Sequence, residues 1–134
     1  TCMFNICASG ETLIPHEIVD YTKAILQQGH YVMIVTNGML KKRFEEFAGF
    51  PEEYRKRLFF KLSFHYLELK RLCKFELFFS NVRLIKDMKA SFTIEVTPSD
   101  ELIPYIDEMK EVSYHGSTRR KQAGLSFAYQ TLKR

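Results

Sequence analysis

Leu58-Phe59-Phe60-Lys61-Leu62-Ser63-Phe64-His65 is the stretch on which the fold turns. Successive side chains of a β-strand point to opposite faces. One face of this strand therefore carries Leu58, Phe60, Leu62 and Phe64, and the other carries Lys61, Ser63 and His65. The apolar face needs cover. The polar face needs water or a ligand, because a buried polar group must be paired. The same division recurs in residues 91–97, where Phe92, Ile94 and Val96 oppose Thr93, Glu95 and Thr97. In the first apolar run, Cys2 to Cys7, the residues Asn5, Cys7 and Ser9 share a face. The remaining run, Tyr31-Val32-Met33-Ile34-Val35-Thr36, is apolar throughout, which predicts a strand covered on both sides.

Helical patterns separate these four runs. Pro15 opens the first, in which Ile18, Val19, Tyr21, Ile25 and Leu26 are expected to face a sheet and Gly29 to cap the end. Asn37-Gly38 often marks a hairpin, but here it follows an apolar strand and precedes a helical pattern, so it predicts a βα turn. A helix is expected over 39–47, a break at Gly49-Phe50-Pro51, and a further helical turn or two over 52–57. Residues 66–89 read as a long helical stretch, broken near Lys74, with Leu67, Leu72, Leu77, Phe78, Val82 and Ile85 along its apolar stripe. Pro98-Ser99-Asp100-Glu101 reads as a helix start, with Pro104 near the first turn and the end near Val112. Four strands alternating with helices predict an α/β fold with a parallel sheet. The polar strand faces favour a partial, TIM-like barrel with a polar lumen over a flat sheet buried on both sides.

Composition bounds the function. At 134 residues the chain has the length of one domain and can bury a core without covalent staples. No apolar run approaches the ~18 residues of a membrane span, and the first residues lack a signal-peptide pattern. Three cysteines, Cys2, Cys7 and Cys73, give neither a disulfide framework nor a metal spacing, which predicts reduced thiols and a cytoplasmic setting. The net charge is +4, but Arg119, Arg120, Lys121, Lys133 and Arg134 supply all of it. Residues 113–134 thus read as a basic tail, with Leu125 to Leu132 a weak helical candidate. A nucleic-acid domain carries its basic face within the fold, so this distribution argues against nucleic acid as the partner.

Chemistry in parallel α/β folds collects at the C-terminal ends of strands. Ser9-Gly10-Glu11 lies there, either as a ligand loop with a carboxylate able to hold an amino group, or as a plain turn before a helix. Glu95 either pairs with Lys61 or faces a ligand. His65, beside Ser63, is either a hydrogen-bonding group of a site or the polar start of a helix. His65-Tyr66-Leu67-Glu68 lacks the second histidine of a zinc motif, and no phosphate loop or nucleophile elbow is present.

Taken together, these segments resemble a radical S-adenosylmethionine enzyme. Cys7-Ala8-Ser9-Gly10-Glu11-Thr12-Leu13 is similar to the family's Gly-Gly-Glu loop, with Ser9 in place of the first glycine. Residues 29–38 resemble its third strand and Thr-Asn-Gly end, residues 62–69 its fourth strand and exit, and residues 92–102 its fifth. The similarity covers about residues 2–112, the portion read as a partial barrel corresponding to strands two to five of a (β/α)6 core. The resemblance implies S-adenosylmethionine as cofactor. Gly10 and Glu11 would meet its methionine amino group, Ser63 and His65 would lie near the ribose, and Asn37 and Glu95 would face the lumen. It also implies a [4Fe–4S] cluster, yet the family's Cys-x3-Cys-x2-Cys loop is missing and the three cysteines present do not replace it. The expectation is a fragment or truncated homologue without a cluster or activity of its own. The alternatives are a nucleoside-binding module, or an interaction protein that self-associates through open sheet edges. The substrate is not specified.

Overall fold

The computed structural model describes residues 1–96 and 98–117. The basic cluster at 119–121 and the helical candidate at 125–132 lie outside them. Four strands form one sheet in the order β1 (Met3–Ile6), β2 (Tyr31–Thr36), β3 (Leu58–Phe64), β4 (Ser91–Val96), and every adjacent pair is parallel. Among the described residues six α-helices accompany them: α1 (Glu17–Gln27), α2 (Lys41–Ala48), α3 (Glu52–Arg55), α4 (Tyr66–Arg71), α5 (Phe75–Asp87) and α6 (Ile106–Ser117). A 3-10 turn, Asp100–Tyr105, leads into α6. This is the expected parallel α/β arrangement, and the described strands form an open sheet rather than a closed ring.

Strand β3 alternates as its sequence predicts. Leu58, Phe60, Leu62 and Phe64 are buried, while Phe59, Lys61 and Ser63 are half-exposed. The buried side meets an aromatic layer: Phe60 lies edge-on to Phe44 and Phe47 of α2, and Phe64 packs on Phe75, Phe78 and Phe79 of α5. Full burial of one such side chain stabilises by about 1.5–3 kcal/mol, so this layer anchors the sheet.

Strand β2 departs from its reading. Val32, Ile34 and Thr36 are buried, but Tyr31 is exposed and Met33 and Val35 are half-exposed. The strand is covered on one side only, although it is apolar on both. Its register explains the misreading. Met33 sits between Asn5 and Phe59, and Val35 beside Lys61, on the same open face as the polar residues of β3 and β4. An apolar run reports hydrophobicity and not which face has a partner.

Three helices also differ from expectation. In α1 the buried residues are Ile18, Thr22 and Leu26, whereas Tyr21 points to solvent. Gly29 takes a φ of +82° and its N–H meets Leu26 O at 3.0 Å, the glycine-capped ending foreseen. The long stretch 66–89 is two helices, broken near Lys74 where its sequence predicts, and it departs from expectation only in its apolar stripe. Cys73 adopts a left-handed φ of 53°, Lys74 N–H bonds back to Leu69 O, and α5 starts anew at Phe75. The apolar stripe is re-phased across the break, which leaves Leu72 40% exposed. Pro104 falls inside the 3-10 turn and not in the first turn of an α-helix, and α6 extends to Ser117, past the end expected at Val112.

Candidate functional site

At the C-terminal pole of the sheet the exits of β2 and β3 are short. One residue, His65, separates β3 from α4, and its carbonyl accepts Leu69 N–H at 2.9 Å. Residues 37–40 separate β2 from α2. Thr36 pairs in register with Leu62, and Ser63 with Glu95. Asn37, Ser63 and Glu95 therefore lie in one row across three strands.

Glu11 joins this pole from the β1–α1 loop. Its Oε1 accepts the Leu13 N–H at 3.1 Å and the Thr36 hydroxyl at 2.5 Å, and its Oε2 accepts the Asn37 N–H at 2.8 Å. The carboxylate thus ties its own loop to the end of β2. A second tie comes from α2. Arg43 donates from Nε to Leu13 O at 3.0 Å and from a terminal nitrogen to Ile14 O at 3.2 Å, while Glu46 holds its other side at 3.0 Å. Nothing in the sequence marks Arg43. Its loop partners, Leu13 and Ile14, lie 30 and 29 positions away and become visible only in the fold.

The turn Thr36–Met39 is fixed from four directions. Besides the Glu11 contacts, Gly38 N–H donates to Thr36 Oγ1, Met39 N–H donates to Asn37 Oδ1 at 3.1 Å, and the buried Asn81 of α5 donates from Nδ2 to Gly38 O at 2.7 Å. Asn81 is a further residue that sequence reading missed. It sits on the buried face of α5, where a polar residue signals a specific partner.

Around this turn lie two adjoining clefts. One, of about 180 Å³, is lined by the loop residues Gly10, Glu11 and Thr12 together with Asn37, Ser63 and His65. The other, of about 260 Å³, shares Asn37, Ser63 and His65 and continues along Glu68, Leu69 and Lys74. The side chains of Ser63 and His65 make no hydrogen bond, and neither does Asn37 Nδ2, among the described residues. Three adjacent polar groups with open hydrogen-bonding capacity thus line a common space. Gly10 borders it too. A Cβ there would meet no atom within 4 Å, and its φ lies outside the left-handed region, so nothing among the described residues requires a glycine.

Of the seven residues singled out from sequence, Gly10, Glu11, Asn37, Ser63 and His65 are brought together. Ser9 is exposed in the same loop. Glu95 shares the row but pairs with Lys61 at 3.1 Å, with both side chains little more than one-third exposed. That ion pair is one of the two outcomes foreseen for Glu95. Below Glu68, Arg71 forms a bidentate pair with it and holds its carboxyl below the usual glutamate range.

The three cysteines lie apart from one another. Cys2 and Cys7 flank β1 from opposite ends, roughly 16 Å apart at a strand's rise of about 3.3 Å per residue, and Cys73 lies beyond the end of α4. Among the described residues no three histidine, cysteine or acidic side chains are grouped to hold a metal ion. Among those residues, too, no helix is long and apolar enough to cross a membrane. Comparison of the chain with protein-family models, curated proteins and solved structures finds no match.

Proposed function

We propose that this chain is a nucleoside-binding partial barrel of the radical S-adenosylmethionine type, taking the adenosyl end of S-adenosylmethionine at the C-terminal pole of its sheet and holding no cluster of its own. The observation that carries the reading is the trio Asn37, Ser63 and His65, side by side on two clefts with unused hydrogen-bonding groups. Polar groups converging on a concave surface are what a small-molecule site requires. A glycine without an internal reason at position 10 adds to it, because close approach of a ligand to the backbone is a reason for glycine. The open face of the sheet, with Lys61, Ser63, Thr93 and Glu95 half-exposed, supports a lumen-like surface.

Glu11 enters this reading with a changed role. Three donors of its own chain already engage it, so its contribution is to hold the loop and the β2 turn in register. The methionine amino group, if it binds here, meets the remaining lone pairs of Glu11 or the loop carbonyls.

Titration calorimetry with S-adenosylmethionine tests the reading. Saturable binding is expected, and Gly10→Ala should weaken it at least tenfold with the thermal midpoint unchanged. A flat titration removes the proposed function. Retention of iron after anaerobic reconstitution with iron and sulfide, with the visible absorption of a cluster, would overturn the statement that this chain holds none.

A further inference from the structure

The larger of the two clefts, of about 260 Å³, holds a cation without a counter-ion. Lys74 lines it, is exposed, and its ammonium makes no ion pair or hydrogen bond among the described residues. The one acid in its wall, Glu68, is already neutralised, because Arg71 takes both carboxylate oxygens at 3.1 and 2.6 Å. Glu11, the acid of the adjoining cleft, is engaged by three donors of its own chain.

The neutral groups beside Lys74 are donors. Asn37 Oδ1 accepts the Met39 N–H at 3.1 Å, which leaves Nδ2 with only N–H groups to offer. Glu11 and the buried Asn81 hold the turn that carries it, at 2.8 and 2.7 Å, so this donor is fixed in place. The Ser63 hydroxyl and a ring N–H of His65 are also unused. An ammonium and three neutral donors on one concave wall suit an anion. They suit a phosphate better than a carboxylate. A phosphate monoester offers three free oxygens to donors spread around it. The two coplanar oxygens of a carboxylate are met best by an arginine fork, and the fork of Arg71 is spent on Glu68. The rest of the wall is apolar: Met39, Leu69 and Leu72, the last 40% exposed, give an organic ligand a surface to pack on.

We propose that the larger cleft binds the phosphate of a small phosphorylated organic compound, with Lys74 as its charge partner and Asn37 Nδ2, Ser63 and His65 as donors. This compound is a second ligand, the substrate beside the adenosyl group. Its role as substrate rests on the adenosyl reading, whereas the anion site rests on the cleft itself.

Amide NMR titrations with phenyl phosphate and with benzoate provide the test, since both carry an anionic group on a ring. Phenyl phosphate is expected to shift the amides of residues 63–65 and 72–74 saturably and to bind roughly tenfold more tightly than benzoate. Lys74→Gln should weaken phenyl phosphate roughly tenfold with the thermal midpoint unchanged, because the side chain is exposed. Lys23→Gln, at an exposed lysine of α1 outside the cleft, should leave its affinity unaltered. Absence of saturable binding, equal binding of benzoate, or equal losses in the two lysine variants overturns the proposal. Repeating the titration on the chain saturated with S-adenosylmethionine tests the second-ligand placement. Unchanged affinity supports it, and competition overturns it. Binding of phenyl phosphate by a chain that fails to bind S-adenosylmethionine leaves the anion site standing and removes the adenosyl reading. The opposite pair of results removes the anion site alone.

Discussion

Gly38 has a backbone φ of +75°, and a Cβ built on it would lie 2.9 Å from the ring of Phe78. Both facts bear on the site, because Gly38 is the middle of the turn that presents Asn37. An L-residue in the left-handed region costs about 1–2 kcal/mol. Pushing a fully buried ring costs about 1–3 kcal/mol more. Gly38→Ala is thus expected to destabilise the fold by about 2–5 kcal/mol, read as a lowered midpoint in urea unfolding at constant slope. A loss under 1 kcal/mol would mean that Phe78 and the turn relax together. At this scale the sequence was legible where neighbours decide. Asn37-Gly38 announced a turn, and its placement after an apolar strand chose the βα type. Glu11 was found as a candidate but for another role, because its partners Thr36 and Asn37 are 25 and 26 positions away. The same distance hid Arg43 and Asn81.

At the scale of elements, α4 and α6 are linked by charge. Lys70 of α4 meets both oxygens of Glu108 of α6 at 2.9 and 3.0 Å, and its ammonium lies 4.5 Å from the centre of the Tyr105 ring. Lys70, and after it the Tyr66 hydroxyl, hold the Glu108 carboxyl below its usual range. Burial, with Glu108 nearby, pushes the Tyr66 hydroxyl up to about 12, and that hydroxyl makes no hydrogen bond of good geometry among the described residues. A carboxylate whose pKa is lower in the folded chain stabilises the fold above its unfolded pKa. That contribution is lost as the pH falls through the folded value. Glu108→Gln should therefore lower the thermal midpoint slightly at pH 7, and the difference should close as the pH falls below the usual glutamate range. Added salt should shrink it at neutral pH, as for any exposed pair. A difference that persists in acid would assign the effect to packing. The sequence foretold the break near Lys74 and missed its consequence for this link. Leu67, Leu72 and Leu77 read as one stripe, yet α4 ends before the left-handed Cys73, α5 starts anew after it, and Lys70 of α4 pairs with Glu108 of α6.

Over the whole molecule the two poles differ in kind. At the N-terminal pole, arginines close the loops: Arg55 donates to Phe50 O at 2.9 Å and to Met88 O at 2.8 Å, and Arg57 to His30 O at 2.9 Å. At the C-terminal pole, Asn37, Ser63 and His65 keep groups unused. Satisfied backbone at one end and open polar groups at the other are the division of labour that parallel α/β sheets adopt. The sequence carried the parallel order and the polar parity of β3 and β4, since both are written in period and alternation. It did not carry the uncovered side of β2, since Met33 and Val35 are as apolar as Val32 and Ile34.

That uncovered side leads to the prediction with the widest reach. Ile34 is fully buried and Met33 is half-exposed, one residue apart on the same strand. If helices cover one face only, Ile34→Ala should cost about 2–4 kcal/mol and Met33→Ala well under about 1 kcal/mol. A second copy is expected to pair at the outer edges of β1 and β4, which are unpaired among the described residues and near one of which Met3, Phe4 and Tyr31 are exposed, and so to lie over the open face beside them, where Met33 and Val35 are half-exposed. Exposed parallel edges invite pairing with another chain. Urea unfolding of both variants at low and high protein concentration separates the states. In a monomer, the Met33→Ala cost stays small at every concentration. In an assembly that covers this face, stability rises with concentration and Met33→Ala becomes costly along with it. We expect the second result, accompanied by a mass above that of one chain in light scattering. A monodisperse monomer at high concentration, with Met33→Ala neutral throughout, would show that the open face is left to water and to the ligand alone.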